Sequence, residues 1–286
     1  MRFMMLIKSD SKAEAGILPD QTLLTEMGKL NEEMMKAGAL LSSEGLRPSS
    51  QGTRVRLSGR GSAGTSTVID GPFAETNDLI AGFWLIQTKS KEEAIEWARR
   101  VPGQAGEIEI RALFEASDFP VDPSEKPDGW REQEVRFREA ADRAPESAPE
   151  ISTAPARKPG TTRFMVMLKS DERTESEALP NPETLSAMGA LMTELATSGA
   201  LLSGDGLKPT SKGARIKRAG SRRTVIDGPF TETKEIIAGY SMIQVESMDE
   251  AIDFAKRWLP IHLQGAEAAA SEIEIRPLYE RSDMPA

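Results

Sequence analysis

The chain has 286 residues, 38% of them hydrophobic and 28% charged, and a formal net charge of −9. These values are typical of about two soluble globular domains joined by a polar segment, and the negative charge argues against a direct nucleic-acid or anionic-membrane surface, since both need basic patches. The chain has no cysteine, which excludes disulfides, thiolate nucleophiles and cysteine metal sites.

The localisation expected from the sequence is cytoplasmic. The apolar run at the start of the chain is too short for a signal peptide, and no window approaches the roughly 20 apolar residues of a membrane span. A chain without cysteine also suits a reducing cytosol.

The first half predicts a series of strands with two helices. Residues 2–8 predict an apolar strand, residues 9–19 a polar loop, and residues 20–37 a helix whose apolar stripe recurs at three- and four-residue spacing. The remaining elements are strands at residues 39–42, 54–57, 67–69 and 80–88, a helix that starts at the Ser90–Glu93 capping box, and a last strand at 107–111.

The second half repeats this order. Residues 199–203 copy residues 38–42 letter for letter, and Ser247 with Glu250 repeats the capping box. The copy has a shorter central hairpin loop and a longer segment before its last strand. That longer segment holds the only histidine, His262.

Between the halves, residues 118–162 have no counterpart in the repeat. Residues 130–143 are charged and predict a short helix on a domain surface, whereas the proline-rich residues 144–160 are typical of a flexible linker. We therefore expect a first repeat at 1–120, a linker at 121–162 and a second repeat at 163–286.

The element order predicts an α+β fold for each half, with a helix after the first strand and another before the last. Both helices are amphipathic, so we expect them on one face of a mostly antiparallel sheet. Residues 81–86 are apolar on both sides of their strand, so the other sheet face needs cover. The predicted architecture is two ferredoxin-like repeats packed sheet to sheet about a pseudo-two-fold axis, an intramolecular pseudo-dimer whose further dimerisation stays open.

Four sequence blocks occur once in each half and carry a family resemblance. They are Phe-Met-x-x-x-Lys, Gly-Ala-Leu-Leu-Ser, Gly-Leu-Arg/Lys-Pro, and Asp-Gly-Pro-Phe followed by Glu-Thr. Together they resemble the YCII-related family, in particular its DGPF-motif branch, over residues 2–120 and 163–285. The resemblance implies a dimeric α+β barrel of ferredoxin-like units.

The family members that this chain resembles fall into three groups by activity. Most DGPF-type members have no assigned reaction, and some lie beside extracytoplasmic-function sigma factors. A few wider relatives are enzymes with a His–Asp pair at a cleft, including a dehydrochlorinase. The first half of this chain has no histidine, so a His–Asp pair would need His262 in the second half.

The motif aspartates Asp70 and Asp227 are the candidate catalytic residues. Each ends a predicted strand before a Gly-Pro turn. There a carboxylate either accepts N–H bonds from the turn or lies at a cleft mouth to bind a ligand or accept a proton. Glu75 and Glu232 follow closely and are candidate ligand-binding carboxylates, but without His or Cys nearby they predict no metal site.

Four further residues are candidate ligand contacts, namely Lys8, Lys169, Phe73 and Phe230. The phenylalanines are expected either as core anchors or as rings that stack on a ligand. The lysines form ordinary surface ion pairs or, if the first and central strands are neighbours, lie beside the motif aspartates and orient an anionic or enol-forming substrate. Four recurring arginines are expected on solvated faces, namely Arg54, Arg215, Arg111 and Arg276.

Three functions stay open. The first is a small-molecule-binding or accessory module, favoured by the absence of any cofactor or metal motif. The second is an enzyme of lyase, isomerase or dehydrochlorinase type that uses the motif aspartates and the lysines. The third is an interaction partner in a sigma-factor system, through the charged segment at 130–143.

Overall fold

The structure is a computed structural model that describes residues 1–59, 64–74, 79–119, 158–176, 178–230, 235–264 and 270–283. Its strands are β1 Arg2–Lys8, β2 Leu40–Gly45, β3 Thr53–Ser58, β4 Thr65–Asp70, β5 Ile80–Gln87, β6 Ala105–Ala112, β7 Thr162–Lys169, β8 Leu201–Gly206, β9 Ala214–Ala219, β10 Arg222–Asp227, β11 Ile237–Val245 and β12 Ala270–Pro277. Its α-helices are α1 Ser11–Glu14, α2 Gln21–Lys36, α3 Lys91–Arg100, α4 Glu172–Glu175, α5 Pro182–Ser198 and α6 Met248–His262.

The strands form two six-stranded antiparallel sheets. The N-sheet has the order β10-β9-β6-β1-β5-β2, and the C-sheet has the order β4-β3-β12-β7-β11-β8. Each sheet therefore takes four strands from one half of the chain and a two-stranded hairpin from the other half. The predicted α+β fold with two repeats is confirmed, and the halves in addition exchange their β3–β4 and β9–β10 hairpins.

The exchanged hairpins pair in matching registers. In the N-sheet, Ile108 of β6 lies opposite Ile216 of β9. In the C-sheet, Ile273 of β12 lies opposite Val55 of β3. Each hairpin is thus bonded through its backbone to the last strand of the other half, and neither sheet is complete without residues from both halves.

Apolar residues fill three layers. The helices of each half cover the outer face of one sheet, and each of these two cores includes residues of the hairpin from the other half. The third core lies between the sheets and joins Met4, Leu6 and Phe83 of the N-sheet to Met165 and Tyr240 of the C-sheet. The second apolar face of each sheet is therefore covered by the other sheet, as the apolar strands require.

Backbone hydrogen bonds also join the sheets at two equivalent corners. At one corner, the Arg47 N–H donates to Pro277 O at 2.9 Å and the Tyr279 N–H donates to Gly45 O at 2.9 Å. At the other, the Lys208 N–H donates to Ala112 O at 2.8 Å. At both corners, a residue that follows a strand of one half is thus hydrogen-bonded to a strand of the other half.

Two local expectations differ from the structure. Residues 9–19 were predicted as a loop, but Asp10 caps the one-turn helix α1 by accepting the backbone N–H groups of Lys12 and Ala13. An aspartate just before a helix accepts hydrogen bonds from the N–H groups of the first turn, which have no partner within the helix. A short polar segment can therefore form one helical turn. The hypothesis that Lys8 lies beside Asp70 on a neighbouring strand is wrong, because β1 and β4 belong to different sheets.

The turn after β4 predicts a sharp mutational contrast. A Cβ at Gly71 would lie 1.8 Å from Ser49 O, whereas a Cβ at Gly28 in α2 would meet nothing within 4 Å. We expect Gly71→Ala to lower the free energy of unfolding by at least about 2 kcal/mol, because backbone has to move. Gly28→Ala should leave it unchanged or raise it by up to about 1 kcal/mol. Urea denaturation of both variants measures this, and a Gly71→Ala protein as stable as wild type would contradict the tight packing of the turn.

Candidate functional site

Charged side chains lie on the inner faces of the two sheets. Glu109 is paired with Leu6 across the ladder, and Arg111 is paired with Met4. Because directly paired residues point to the same side of a sheet, both charged residues share the face of the apolar core between the sheets. The same holds for Glu274 in the C-sheet, which is paired with Met167.

The C-cluster consists of Lys169, Glu235, Glu274, Arg276 and Arg54. Arg54 comes from the hairpin of the first half, and it places an Nη 2.8 Å from Glu274 and 2.8 Å from Glu235. The Lys169 Nζ lies 2.6 Å from Glu235 and 3.0 Å from Glu274. Arg276, which is fully buried, adds a contact of 3.1 Å to Glu274. The cluster therefore holds three cations around two buried carboxylates.

The N-cluster consists of Lys8, Glu109, Arg111 and Arg215, and it repeats this arrangement in the N-sheet. Glu109 accepts from Arg215, which comes from the hairpin of the second half, at 3.0 Å. It also lies 3.4 Å from the Lys8 Nζ and 3.2 Å from Arg111. Both clusters thus combine a lysine and an arginine of one half with an arginine of the other.

The motif phenylalanines close these clusters. The Arg54 guanidinium lies over the ring of Phe73, and the Arg215 guanidinium lies over the ring of Phe230, each at 4.1 Å from the ring centre. The Phe73 N–H donates to the Ser49 hydroxyl at 3.2 Å, which holds the turn in place. The Asp-Gly-Pro-Phe turn therefore positions an aromatic ring over a buried cation, a favourable contact.

Two glutamates on the one-turn helices α1 and α4 connect the segments that hold the Asp-Gly-Pro-Phe turns to the charged clusters. Glu14 accepts the Ser49 N–H at 2.9 Å and lies 3.4 Å from Arg276. Glu175 does the same in the other half, with the Thr210 N–H at 3.0 Å and Arg111 at 3.6 Å. Sequence reasoning missed both residues, because the helices that carry them were predicted as loop.

A further polar contact crosses between the halves. Arg2 of β1 lies 2.9 Å from Asp205 of β8, and the Tyr240 hydroxyl donates to the same carboxylate at 3.2 Å. Burial raises the pKa of Asp205 to about 6, although Arg2 acts in the opposite direction. In the equivalent place Arg163 lies 2.7 Å from Glu44.

The motif aspartates lie outside both clusters. Asp70 is exposed at the edge of the C-sheet and accepts the Thr53 hydroxyl at 3.0 Å. The Asp227 side chain is 71% exposed and pairs with Lys91 at 2.8 Å. Glu75 and Glu232 lie outside the described residues. Of the residues predicted for binding, the structure brings Lys169 near Phe73 and Lys8 near Phe230. In each case the lysine shares a carboxylate with the arginine that lies over the ring.

The expectation of solvated arginines is wrong. Arg111 and Arg276 are 0% exposed, and Arg54 and Arg215 are 8% and 7% exposed. A strand that alternates isoleucine with charged residues normally turns its charged face to water. Here that face meets the other sheet, and the charges are stable inside because they pair with one another.

His262 and Asp171 form a pair that the sequence did not place together. The His262 Nε2 lies 3.3 Å from an Asp171 carboxylate oxygen, and Arg173 donates to His262 O at 2.7 Å. His262 is buried at the end of α6, and Asp171 caps α4. Burial alone would raise the pKa of Asp171, but the hydrogen bonds from His262 and Thr174 hold it well below its usual range. The sequence carried only a weak signal, a single histidine in a segment absent from the first half.

Similarity to known proteins identifies the family of the repeat. A model of the YCII-related domain matches residues 1–117 and 162–273. The chain belongs to the YCII-related domain family. An uncharacterized protein of Rhizobium meliloti (strain 1021) is 37% identical over 81 residues, which are 28% of this chain and 61% of that protein. The match thus spans less than two thirds of that relative.

Among the described residues, no group of three His, Cys, Asp or Glu side chains is arranged to hold a metal ion. None of the described helices has the length and apolar character to cross a bilayer.

The two central glutamates of the YCII-related clusters set the response to acid. Burial alone would raise their pKa, but the surrounding cations, led by Lys8 for Glu109 and Lys169 for Glu274, lower both to about 2. Since the pKa is lower in the folded state, the unfolded chain takes up protons first as the pH falls. The stabilisation is therefore complete above about pH 4.5 and is lost between about pH 4.5 and pH 2.

This predicts a distinct acid profile for Glu274→Gln. At pH 7 the variant should lose on the order of 3 kcal/mol of unfolding free energy, because three cations lose a shared counter-charge. Below pH 4 the gap to wild type should narrow. Urea denaturation across pH 2 to 7 measures this, with Glu96→Gln, an exposed partner of Arg99, as the control. A gap that does not change with pH would show that the cluster charge does not stabilise the fold.

Proposed function

We propose that the protein is a small-molecule-binding or accessory protein of the DGPF branch of the YCII-related family, acting in the cytoplasm as an intramolecular pseudo-dimeric α+β barrel. One observation carries the proposal: each charged cluster draws its lysine from one half and its arginine–phenylalanine pair from the other. A site of this kind forms only when two YCII-related units are joined. Repeats at 1–120 and 163–286 with a linker at 121–162 supply both units in one chain.

The ligand we propose is a small anionic or enol-forming molecule. In the C-cluster, the Glu235 carboxylate lies between the Lys169 Nζ at 2.6 Å and the Arg54 guanidinium at 2.8 Å. It occupies the place that a ligand carboxylate or enolate oxygen would take, with the Phe73 ring against the same guanidinium. Binding then exchanges one carboxylate for another and leaves no buried cation without a partner.

The exchange predicts opposite effects for two substitutions. Glu235→Gln should tighten binding of carboxylate metabolites by about tenfold, because the competing charge is gone. Lys169→Met should abolish it. A thermal-shift screen of a metabolite library measures both, and Lys217→Met, an exposed lysine of β9, is the control. Carboxylate ligands whose melting shifts are the same in all three variants would refute the exchange.

The His262–Asp171 pair favours a second candidate, an enzyme of lyase, isomerase or dehydrochlorinase type. An imidazole held 3.3 Å from a carboxylate is a common acid–base arrangement, since the carboxylate orients the ring. In this scheme His262 transfers the proton, and Asp171 orients the His262 ring. The exposed Asp70 and Asp227 then have no catalytic part.

Turnover measurements separate the two assignments. Asp171→Asn keeps an N-cap residue for α4 but removes the charge, so it should lower turnover by at least about a hundredfold while the chain stays folded. His262→Gln should do the same, while Asp70→Asn should leave turnover unchanged. A loss of activity in Asp70→Asn alone would return the catalytic role to the motif aspartate.

A role beside a sigma factor depends on residues 130–143, which lie outside the described residues. It predicts that a chain lacking residues 121–160 fails to retain a regulatory partner in a pull-down while both repeats stay folded.

A further inference from the structure

The two halves differ at one end of the N-sheet. Helices α3 and α6 both start after a capping serine, but α3 has 10 residues and α6 has 15. In the second half the longer helix covers its sheet, and Leu57 of the exchanged hairpin is buried in the core beneath it. The shorter α3 leaves the corresponding end of the N-sheet without this cover.

Two arginines occupy that place. Arg218 of β9 lies directly opposite Arg223 of β10, whereas the same paired position of the other hairpin holds Leu57 and Ser66. Like charges directly opposite on a hairpin repel each other and destabilise it, so hairpin stability does not explain the Arg218–Arg223 pair. The repeat itself shows that the hairpin forms without either arginine.

Neither guanidinium contacts a carboxylate among the described residues. Arg218 donates to Pro102 O at 2.6 Å, and Arg223 donates to Gly103 O at 2.9 Å and to Gly220 O at 2.6 Å. Both Nε atoms are buried without a partner, and Arg218 is 7% exposed. Burial, followed by the neighbouring Arg223, lowers the pKa of Arg218. The two positive charges are therefore held in place by backbone carbonyls, and no carboxylate of the described residues neutralises them.

The backbone around Arg218 leaves room for this arrangement. Gly103 and Gly106 have φ values of 110° and 104°, and a Cβ at either residue would lie within 3.2 Å of the Arg218 guanidinium. Side chains are disfavoured at such φ angles, so glycine serves both the conformation and the close approach.

A cleft of about 440 Å³ opens beside the pair, between the second part of α2, the end of α3 and Arg223. Besides Arg223 it is lined by the cations Lys29, Arg99 and Arg100 and by the acids Glu26 and Glu33. Arg100 pairs with Glu33 and Arg99 with Glu96, so Lys29 and Arg223 face one remaining acid of the lining, Glu26. The lining thus has a small net positive charge on a chain with a net charge of −9. Its volume suits a small metabolite.

We propose that this cleft binds a small molecule through a phosphate group, with Arg223 as the main contact and Arg218 behind it as a second fixed charge. Guanidinium groups match phosphate oxygens in geometry, and a dianion relieves the repulsion between two adjacent arginines. The site lies on the outer face of the N-sheet and does not depend on the clusters between the sheets.

Titration with inorganic phosphate at constant ionic strength tests the proposal, followed by the amide NMR signals of the ¹⁵N-labelled protein. We expect saturable shifts at Gly103, Gly106 and Arg223. Arg223→Ser and Arg218→Leu, which restore the residues of the other hairpin, should each weaken binding by about tenfold or more. Arg222→Ser removes the neighbouring exposed charge and should bind as wild type does.

Three results would overturn the site. Shifts that do not saturate or that map elsewhere would leave the cleft without a phosphate site. Equal weakening in Arg222→Ser and Arg223→Ser would indicate general charge attraction only. Unchanged binding in Arg223→Ser, with a lower melting temperature, would show that the arginines only hold the loop at 102–104.

Discussion

The structure depends on one set of backbone contacts, the pairing of each exchanged hairpin with the last strand of the other half. Because β3 pairs with β12 and β9 pairs with β6, neither sheet is complete without both halves. Both charged clusters follow from this pairing, because Arg54 and Arg215 belong to the exchanged hairpins. A chain that already contains two YCII-related units can meet this requirement by itself, at an effective concentration set by its linker rather than by its abundance.

The charged clusters have a physical cost and a use. Burying ions is expensive, and a pair of apolar residues is often as stable as a buried ion pair. What the ions add here is a penalty for wrong pairing, since Glu109 or Glu274 without its arginine from the other half would be a buried charge with a missing partner. We infer that the clusters help to fix the register of the hairpins, and that the Asp-Gly-Pro-Phe turn contributes by placing Phe73 and Phe230 over those arginines.

Local signals in the sequence predicted local structure well. The capping serines Ser90 and Ser247, the apolar helix stripes and the repeated blocks fixed the α+β fold and its two repeats. The exchange could not be predicted, because β6 and β12 both contain Glu-Ile-Glu-Ile-Arg, so β3 has two partners of the same local sequence. The clusters were missed for a different reason: the alternation of isoleucine with charged residues in β6 and β12 is typical of a strand with one face in water, and this pattern was followed although packing of sheet on sheet was predicted. The contact between His262 and Asp171 joins residues far apart in the chain, and no periodicity reports such a pair.

The exchange of hairpins can be tested directly with cysteine pairs, since the chain has no cysteine of its own. Arg56 lies opposite Glu272 in the exchanged register, and the equivalent partner within its own half would be Glu107. Directly opposite residues of antiparallel strands have Cα atoms about 4.5–5.5 Å apart, which suits a disulfide. After mild oxidation, mass spectrometry of tryptic peptides should find the cross-link in Arg56→Cys/Glu272→Cys and not in Arg56→Cys/Glu107→Cys. A cross-link in the second variant and not in the first would show that each half keeps its own hairpin.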